Sequence, residues 1–322
     1  MNDNTTISID LAKEVFQVAV FNRAGKMNSN KKMSAKKMRA SIDKYPGSTL
    51  VMEACGSAHY WGRYFTNKGY TVHLVPPHLA AKYRTGNKND SNDAIAIYEA
   101  TKNPKVHFVA IRTLEQQDMA TLHKFREGYK KERNQVANRI RGFAREYGVN
   151  FSLGIKLLKS QIPEALEDAE NELTPVARHV LLRLRTQLSL MIKQVDKLTD
   201  EITEKAKKID CCKKLVTLPG VAWLGASMIH AKFGRGDGFR RGRDASASIG
   251  IVPAHSGSGG KVTIGRITKR GDTYLRSLII NGARSVVMHI KDKEDELSCW
   301  IRKLLETKSF NTVVVALANK LI

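Results

Sequence analysis

Residues 6–21 read TISIDLAKEVFQVAVF, and the N-terminal fold turns on how they divide. Two apolar runs, 6–12 and 14–21, carry the alternation of a strand. Asp10 interrupts the first run near its end, where acidic residues are poor strand formers. The turn NRAGK (22–26) then separates the second run from a polar stretch ending near Met33. This pattern predicts a meander of three antiparallel strands.

Outward from it, a basic helix is expected over roughly 34–45. STLVMEA (48–54) reads as a short buried strand parallel to the first. SAHYWGRYFTNKG (57–69) reads as a helix with Ser57 as N-cap and Gly69 as its stop. YTVHLVPP (70–77) is a further strand, and a helix runs from about Asp90 to Lys102. Three antiparallel strands followed by strands alternating with helices make one mixed α/β domain over 1–110.

From about 113 to 148 the pattern becomes helical, with Leu122, Phe125, Tyr129, Val136, Ile140, Phe143 and Tyr147 at three-four spacing. A second long helix over 173–208 carries a heptad seam of Leu181, Leu184, Leu188, Met191, Val195, Leu198 and Ile202. The two predict a long antiparallel coiled-coil arm over 111–212, joined by a partly helical stretch around 151–170. Residues 213–322 form a third, mainly α region. Its L-P-G-V corner, within LVTLPGVAWLGASMIHAKFG (215–234), is that of a helix-hairpin-helix module, whose turns present backbone N–H groups to phosphate. A glycine- and serine-rich loop, a basic segment and a long helix from about Asp272 follow. The closing apolar helix, TVVVALANKLI, stops without a cap, and a longer natural tail is expected.

Lys and Arg number 54 against 31 Asp and Glu, a net charge of +23 in 322 residues. Such a surplus calls for a polyanionic partner, because neutralised phosphates release condensed counterions. Nucleic acid is the first candidate and an anionic membrane the second. No apolar run is long enough to span a bilayer and no signal peptide opens the chain, so nucleic acid in the cytoplasm is expected. The 4 cysteines, Cys55, Cys211, Cys212 and Cys299, form no C-x-x-C pair. That argues against zinc and against a disulfide framework, and for reduced thiols.

Asp10 and Glu53 close two strands expected to lie side by side, where open α/β sheets place their sites. Asp90 and Asp93, in TGNKNDSNDA (85–94), sit three apart at a helix start and share a face. Carboxylates there are ordinarily caps, favoured by free N–H groups and the helix dipole. Four converging carboxylates would also repel one another unless a divalent metal held them. Mg²⁺ takes a few carboxylates together with waters and phosphate oxygens. Two such ions would suit phosphoryl transfer.

AHSGSGGK (254–261) fails as a Walker A loop, since His255 stands where the first Gly should be and Val262 follows Lys261. What remains is a flexible loop offering Ser256 and Ser258, with Lys261, Arg266, Lys269, Arg270 and Arg276 downstream to meet phosphates.

Together, SIDLAKE, MEACGS, NKNDSNDA, TLPGV and GIVPAHSGSGGKVTIGRITKRGDTYLR resemble the DEDD transposases of the "one-ten" insertion-sequence family. The loop wording is most similar to its "eleven-eleven" subgroup, and the Piv-type DNA invertases are similar. The resemblance covers nearly the whole chain, with its motifs in order. It implies an RNase H/RuvC-like N-terminal domain with the D-E-D-D set on Asp10, Glu53, Asp90 and Asp93, holding Mg²⁺ or Mn²⁺. It implies a C-terminal transposase domain whose nucleophile falls on Ser258, with Ser256 as the other choice. It further implies donor and target DNA, a structured element-encoded non-coding (bridge) RNA, and action at the bacterial nucleoid. A composite site shared between subunits predicts a homodimer or homotetramer. The alternatives are a RuvC-like junction-resolving nuclease and a site-specific invertase without guide RNA.

Overall fold

The computed structural model of the chain describes residues 5–322 apart from 237, 240, 259, 260, 291 and 292, and only the backbone at 258, 261 and 262. Two compact units are present, Met1–Glu115 with Phe233–Ala245, and Gln116–Lys232 with Ser246–Ile322.

The first unit is built on a five-stranded sheet. β1 (Thr6–Asp10), β2 (Val15–Phe21) and β3 (Met27–Ser34) form the antiparallel meander. After α1 (Ala35–Ile42) comes β4 (Thr49–Glu53), which pairs parallel with β1. After α2 (Ala58–Asn67) comes β5 (Thr71–Val75), parallel to β4, and the strand order is β3-β2-β1-β4-β5. Ser57 does not cap α2 through its side chain; it stands at φ 67° with no cap hydrogen bond. A single turn, α3 (Pro77–Ala80), leads towards α4 (Asp90–Thr101).

Alternation along the strands sorts the side chains between two faces. Ile7, Ile9, Phe16, Val18, Val20, Leu50, Met52 and Leu74 form one core with Met38 and Ile42 of α1 and Ala58, Trp61 and Phe65 of α2. The opposite face packs Ala19 and Phe21 against Ala94 and Tyr98 of α4, and Val51 and Val75 against Ile97 and Ala100. Ser8, on that second face, donates its buried hydroxyl to the Ala94 carbonyl at 2.6 Å. That bond ties the first turns of α4 to β1.

The second unit is helical apart from one hairpin. α5 (Leu114–Arg145) and α7 (Pro175–Lys207) run antiparallel. Met119 packs near Ile202 at one end, and Val136 and Ile140 pack with Leu181, Leu184 and Leu188 at the other. α6 (Ile155–Glu167) contributes Leu158 and Ile162 to that distal core. The α7 seam is buried as its spacing predicted at Leu181, Leu184, Leu188, Val195 and Ile202. The α5 stripe differs. Phe125 is 58% exposed, while His123 is buried. A histidine can take the inward place because both ring nitrogens are bonded, Nε2 to Ser227 Oγ at 2.9 Å and Nδ1 to Tyr274 Oη at 3.0 Å. Arg126, one turn on, donates from Nε to Thr199 Oγ1 of α7 at 2.7 Å. Buried polar residues therefore hid the true stripe from an apolar count.

α8 (Asp210–Leu215) and α9 (Trp223–Phe233) flank the L-P-G-V corner. α10 (Gly242–Ser248) precedes a β-hairpin of β6 (Pro253–Ser258) and β7 (Lys261–Ile267), and α11 (Thr273–Met288), α12 (Glu296–Leu305) and α13 (Phe310–Leu321) follow. At the corner, a Cβ on Gly220 would come 2.7 Å from the Gly282 carbonyl oxygen of α11. The Val221 N–H is used within the turn, donating to Leu218 O. The corner is thus packed onto α11.

Candidate active site and nucleic-acid surface

Asp10 and Glu53 are the last residues of β1 and β4. The final bridged pair of those parallel strands is Ile9↔Met52, so each carboxylate follows one step on, towards α4. α4 opens with Asp90 and carries Asp93 in the same first turn. Its N-cap is Asn89, whose Oδ1 accepts the Asn92 N–H at 2.8 Å. Capping is therefore done by a neutral neighbour, and neither aspartate side chain is needed for it.

The carboxylates feel one another. Burial, then the charges of Asp93, Glu53 and Asp90, push Asp10 up to about 6, against the opposing pull of Arg84. Burial and then Asp93 also raise Glu53, with Arg84 and Lys88 acting the other way. Cys55, close behind, is pushed up to about 11 by burial and by Glu53 and Asp10, so its thiol stays protonated and is no nucleophile. None of the four cysteines is in a disulfide.

Two cations already serve the pair on α4. Arg84 Nε is ion-paired with Asp93 Oδ1, and Lys32 Nζ lies 2.7 Å from Asp90 Oδ2. The Asp93 side chain is 17% exposed and that of Asp90 55%, so the first pair is the better shielded from water. Among the described residues no group of three His, Cys, Asp or Glu side chains is close enough to hold an ion. The donor chemistry nevertheless fits a hard divalent cation. The candidate ligands are carboxylate oxygens, Mg²⁺ needs only one or two of them, and the repulsion that raises Asp10 is what a cation would relieve. Among the described residues no ion pair is seen at Asp10 or Glu53 like those of Asp90 with Lys32 and Asp93 with Arg84, so the first two are the ligands most readily offered.

The serine segment is a β-hairpin rather than the flexible loop expected. Ser256 pairs with Thr263 and the backbone of Ser258 with Lys261, while the side chains of Ser258 and Lys261 lie outside the described residues. The hairpin is clamped at its base. A Cβ on Gly250 would stand 2.2 Å from Arg270 O, and one on Gly271 would stand 1.9 Å from Ser248 O. Both glycines have positive φ, so the backbones can cross where any side chain would collide. Arg266, Lys269 and Arg270 are exposed. Arg276 is not. It is 8% exposed, and its Nη1 donates to Ile249 O at 2.8 Å and Arg270 O at 3.2 Å. Its charge is spent on holding the hairpin base, which corrects its assignment as a phosphate contact.

The Transposase IS116/IS110/IS902 family model matches residues 212–298, and the DEDD transposase model matches residues 7–149. The chain is 36% identical to the transposase for insertion sequence element IS1111A of Coxiella burnetii, over 99% of this chain and 88% of that protein. It is 33% identical to the transposase for insertion sequence element IS1328 of Yersinia enterocolitica, over 100% of this chain and 95% of the relative. A probable family 20 transposase of Pseudomonas aeruginosa is 34% identical over 98% and 93%.

The chain belongs to the IS110 transposase family.

As a member it is a DNA transposase, and DNA is its partner. The DEDD match spans Asp10, Glu53, Asp90 and Asp93, and goes with an RNase H-like fold and with dependence on a divalent metal. The second match spans the hairpin and its basic flank. No helix among the described residues is long and apolar enough to cross a membrane. Sequence reading missed Arg84 and Lys32 as partners of the acidic pair, and His123 and Arg276 as buried nodes. A signal existed for Arg84, a cation nine residues before Asp93 within the motif-bearing loop. None existed for Lys32, which reaches Asp90 only through the sheet.

Proposed function

We propose that this transposase exchanges DNA strands with Ser258 as nucleophile and with Mg²⁺, or Mn²⁺, held by Asp10, Glu53, Asp90 and Asp93. The observation that carries the reading is the set of two carboxylates ending adjacent parallel strands, with an acidic helix start bonded to the same strand through Ser8. The bound ion would supply stabilisation of charge on phosphate oxygens. The Ser258 Oγ–P bond forms as the P–O bond to one deoxyribose oxygen breaks. The serine proton is lost and the leaving oxygen gains one. One phosphodiester is exchanged for another, so the step is reversible and religation frees the serine. Lys261, Arg266, Lys269 and Arg270 neutralise the backbone around the reacting phosphate, a role supported by the exposure of Arg266, Lys269 and Arg270.

In this reading 1–110 is the RuvC/RNase H-like catalytic domain and 111–212 a coiled-coil arm. Residues 213–322 form the C-terminal transposase domain, with α8, α9 and their corner as its helix-hairpin-helix element. The family match that begins at 212 supports the last of these boundaries. A structured guide RNA is supported by the +23 charge. A homodimer or homotetramer is supported by apolar side chains left bare on α7, Val176 at 74% and Leu190 at 50% exposure, and by Leu153 at 85% in the connection before α6.

Labelled donor DNA incubated with the protein and Mg²⁺, then run on a denaturing gel, tests the chemistry. A covalent adduct is expected from the wild type and from neither Ser258→Ala nor Asp10→Asn. Full cleavage by Ser258→Ala, with no adduct from the wild type, would leave the junction-resolving nuclease. Sequencing co-purified RNA tests the guide: recombination at fixed sites with no defined RNA would favour the invertase reading.

A further inference from the structure

Sheet register aligns Lys32, Gln17 and Asp10 across β3, β2 and β1, and residues directly opposite share a face. Glu53 continues the line on β4, one step after Met52. Gln17 is the one neutral member, and it is 5% exposed. Its Oε1 is buried with no hydrogen-bond partner among the described residues.

The orientation of this amide is dictated by its neighbours. Asn30 Nδ2 donates to the Ser91 carbonyl at 3.1 Å and to Ser91 Oγ at 2.8 Å. A carbonyl only accepts, so the Asn30 nitrogen must face Ser91 and its Oδ1 is left for Gln17. Gln17 must then offer Nε2, as it does. Flipping either amide would set like atoms against each other, and Oε1 is turned away from Asn30 by elimination. Ser91 lies between Asp90 and Asp93, so the relay ends inside the acidic turn of α4. Native cores leave few buried acceptors unpaired, and each one asks for a cause. Here the residue that carries the unpaired oxygen stands in the same row as two carboxylates that themselves want positive charge.

We propose that Gln17 is a positioning residue of the divalent-cation site. Its Oε1 is an additional neutral oxygen that helps to hold the hydrated cation, while its Nε2 fixes the start of α4 through Asn30 and Ser91. The inference rests on the metal reading above and extends it to a residue outside the acidic set. Mg²⁺ keeps most of its hydration shell, so a site with few carboxylates relies on further oxygens around that shell.

Mn²⁺ binding to the full chain, followed by the loss of the free-ion paramagnetic resonance signal, tests it. Gln17→Met fills the space and removes both polar atoms. Gln17→Glu keeps an outward oxygen but breaks the donor to Asn30. Affinity is expected to fall about 10-fold or more in Gln17→Met and to stay within about threefold of wild type, or tighten, in Gln17→Glu. Equal losses in both variants would reduce Gln17 to a scaffold for α4 and overturn the proposal, as would wild-type affinity in Gln17→Met. Melting in metal-free buffer checks that each variant folds, and Gln17→Leu replaces the methionine variant if it does not. Asp10→Asn separates the two levels. If wild type binds no Mn²⁺ that Asp10→Asn loses, the metal reading fails and takes this inference with it. If that loss is seen but Gln17→Met binds normally, only the inference fails.

Discussion

Arg276→Met separates two roles that an exposed-looking cation in a basic segment can play. In the folded chain the guanidinium is 8% exposed and bonds the carbonyls of Ile249 and Arg270, at 2.8 and 3.2 Å, with a third bond to Thr273 Oγ1 at 3.2 Å. Hydrogen bonds from a charged donor contribute about 1.5–3 kcal/mol each, and a carbonyl left buried and unpaired costs more than the bond alone. Methionine returns some apolar packing along the arginine stem. The two carbonyl bonds together set an expected loss of about 3 kcal/mol. A domain of this size then melts about 6–12 °C lower. DNA affinity measured against salt concentration gives the second reading, since each phosphate contact contributes about one unit to the slope. Arg276→Met should leave the slope unchanged in protein that is still folded. Arg266→Ala and Arg270→Ala should each lower the slope by about one and leave melting alone. A normal melting temperature with a reduced slope in Arg276→Met would show that its guanidinium leaves the carbonyls for DNA, and would refute the clamp.

Further predictions follow from the same geometry. Asp10 is raised from its ordinary 3.8 to about 6, so the folded chain holds a proton that the unfolded chain has released. Its contribution is present below about 4 and lost as pH rises through 6. Metal-free wild type should lose stability across that window relative to Asp10→Asn, and Mg²⁺ should restore it at pH 7 in wild type only, measured by thermal melting. His123 works in the opposite sense. Burial first, then Arg126, lowers it from 6.5 to about 4, so the folded form is neutral and stability falls as pH drops from 6.5 towards 4. His123→Gln should flatten that slope in a melting series. Gly271→Ala should cost at least 3 kcal/mol, roughly, because its Cβ would meet Ser248 O at 1.9 Å. Gly69→Ala, with positive φ but open space around it, should cost only about 1 kcal/mol by denaturant titration.

Local pattern carried much of the architecture. The meander over 6–34, the parallel strand ending at Glu53, the helix beginning at Asp90 and the buried seam of α7 all follow from short-range periodicity and helix-start chemistry. These are properties of neighbours in the chain, so no partner needs to be known. The stripe of α5 escaped because His123 and Arg126 are polar and yet inward. Their burial is made possible by Ser227, Tyr274 and Thr199, each 70 or more positions away.

Sequence by itself determined the positions of the acidic residues, the strand alternation that turns Asp10 and Glu53 to one face, and the family. Tertiary structure decided what those acids meet: Arg84 on Asp93, Lys32 on Asp90, and Gln17 with an unpaired oxygen in the same row. It also decided that Arg276 faces inward and Arg270 outward, though both lie in one basic run. The reason is physical. Side-chain period is encoded over two to four residues, whereas desolvation and charge pairing depend on which distant surfaces close over a group, and only the packed chain specifies those.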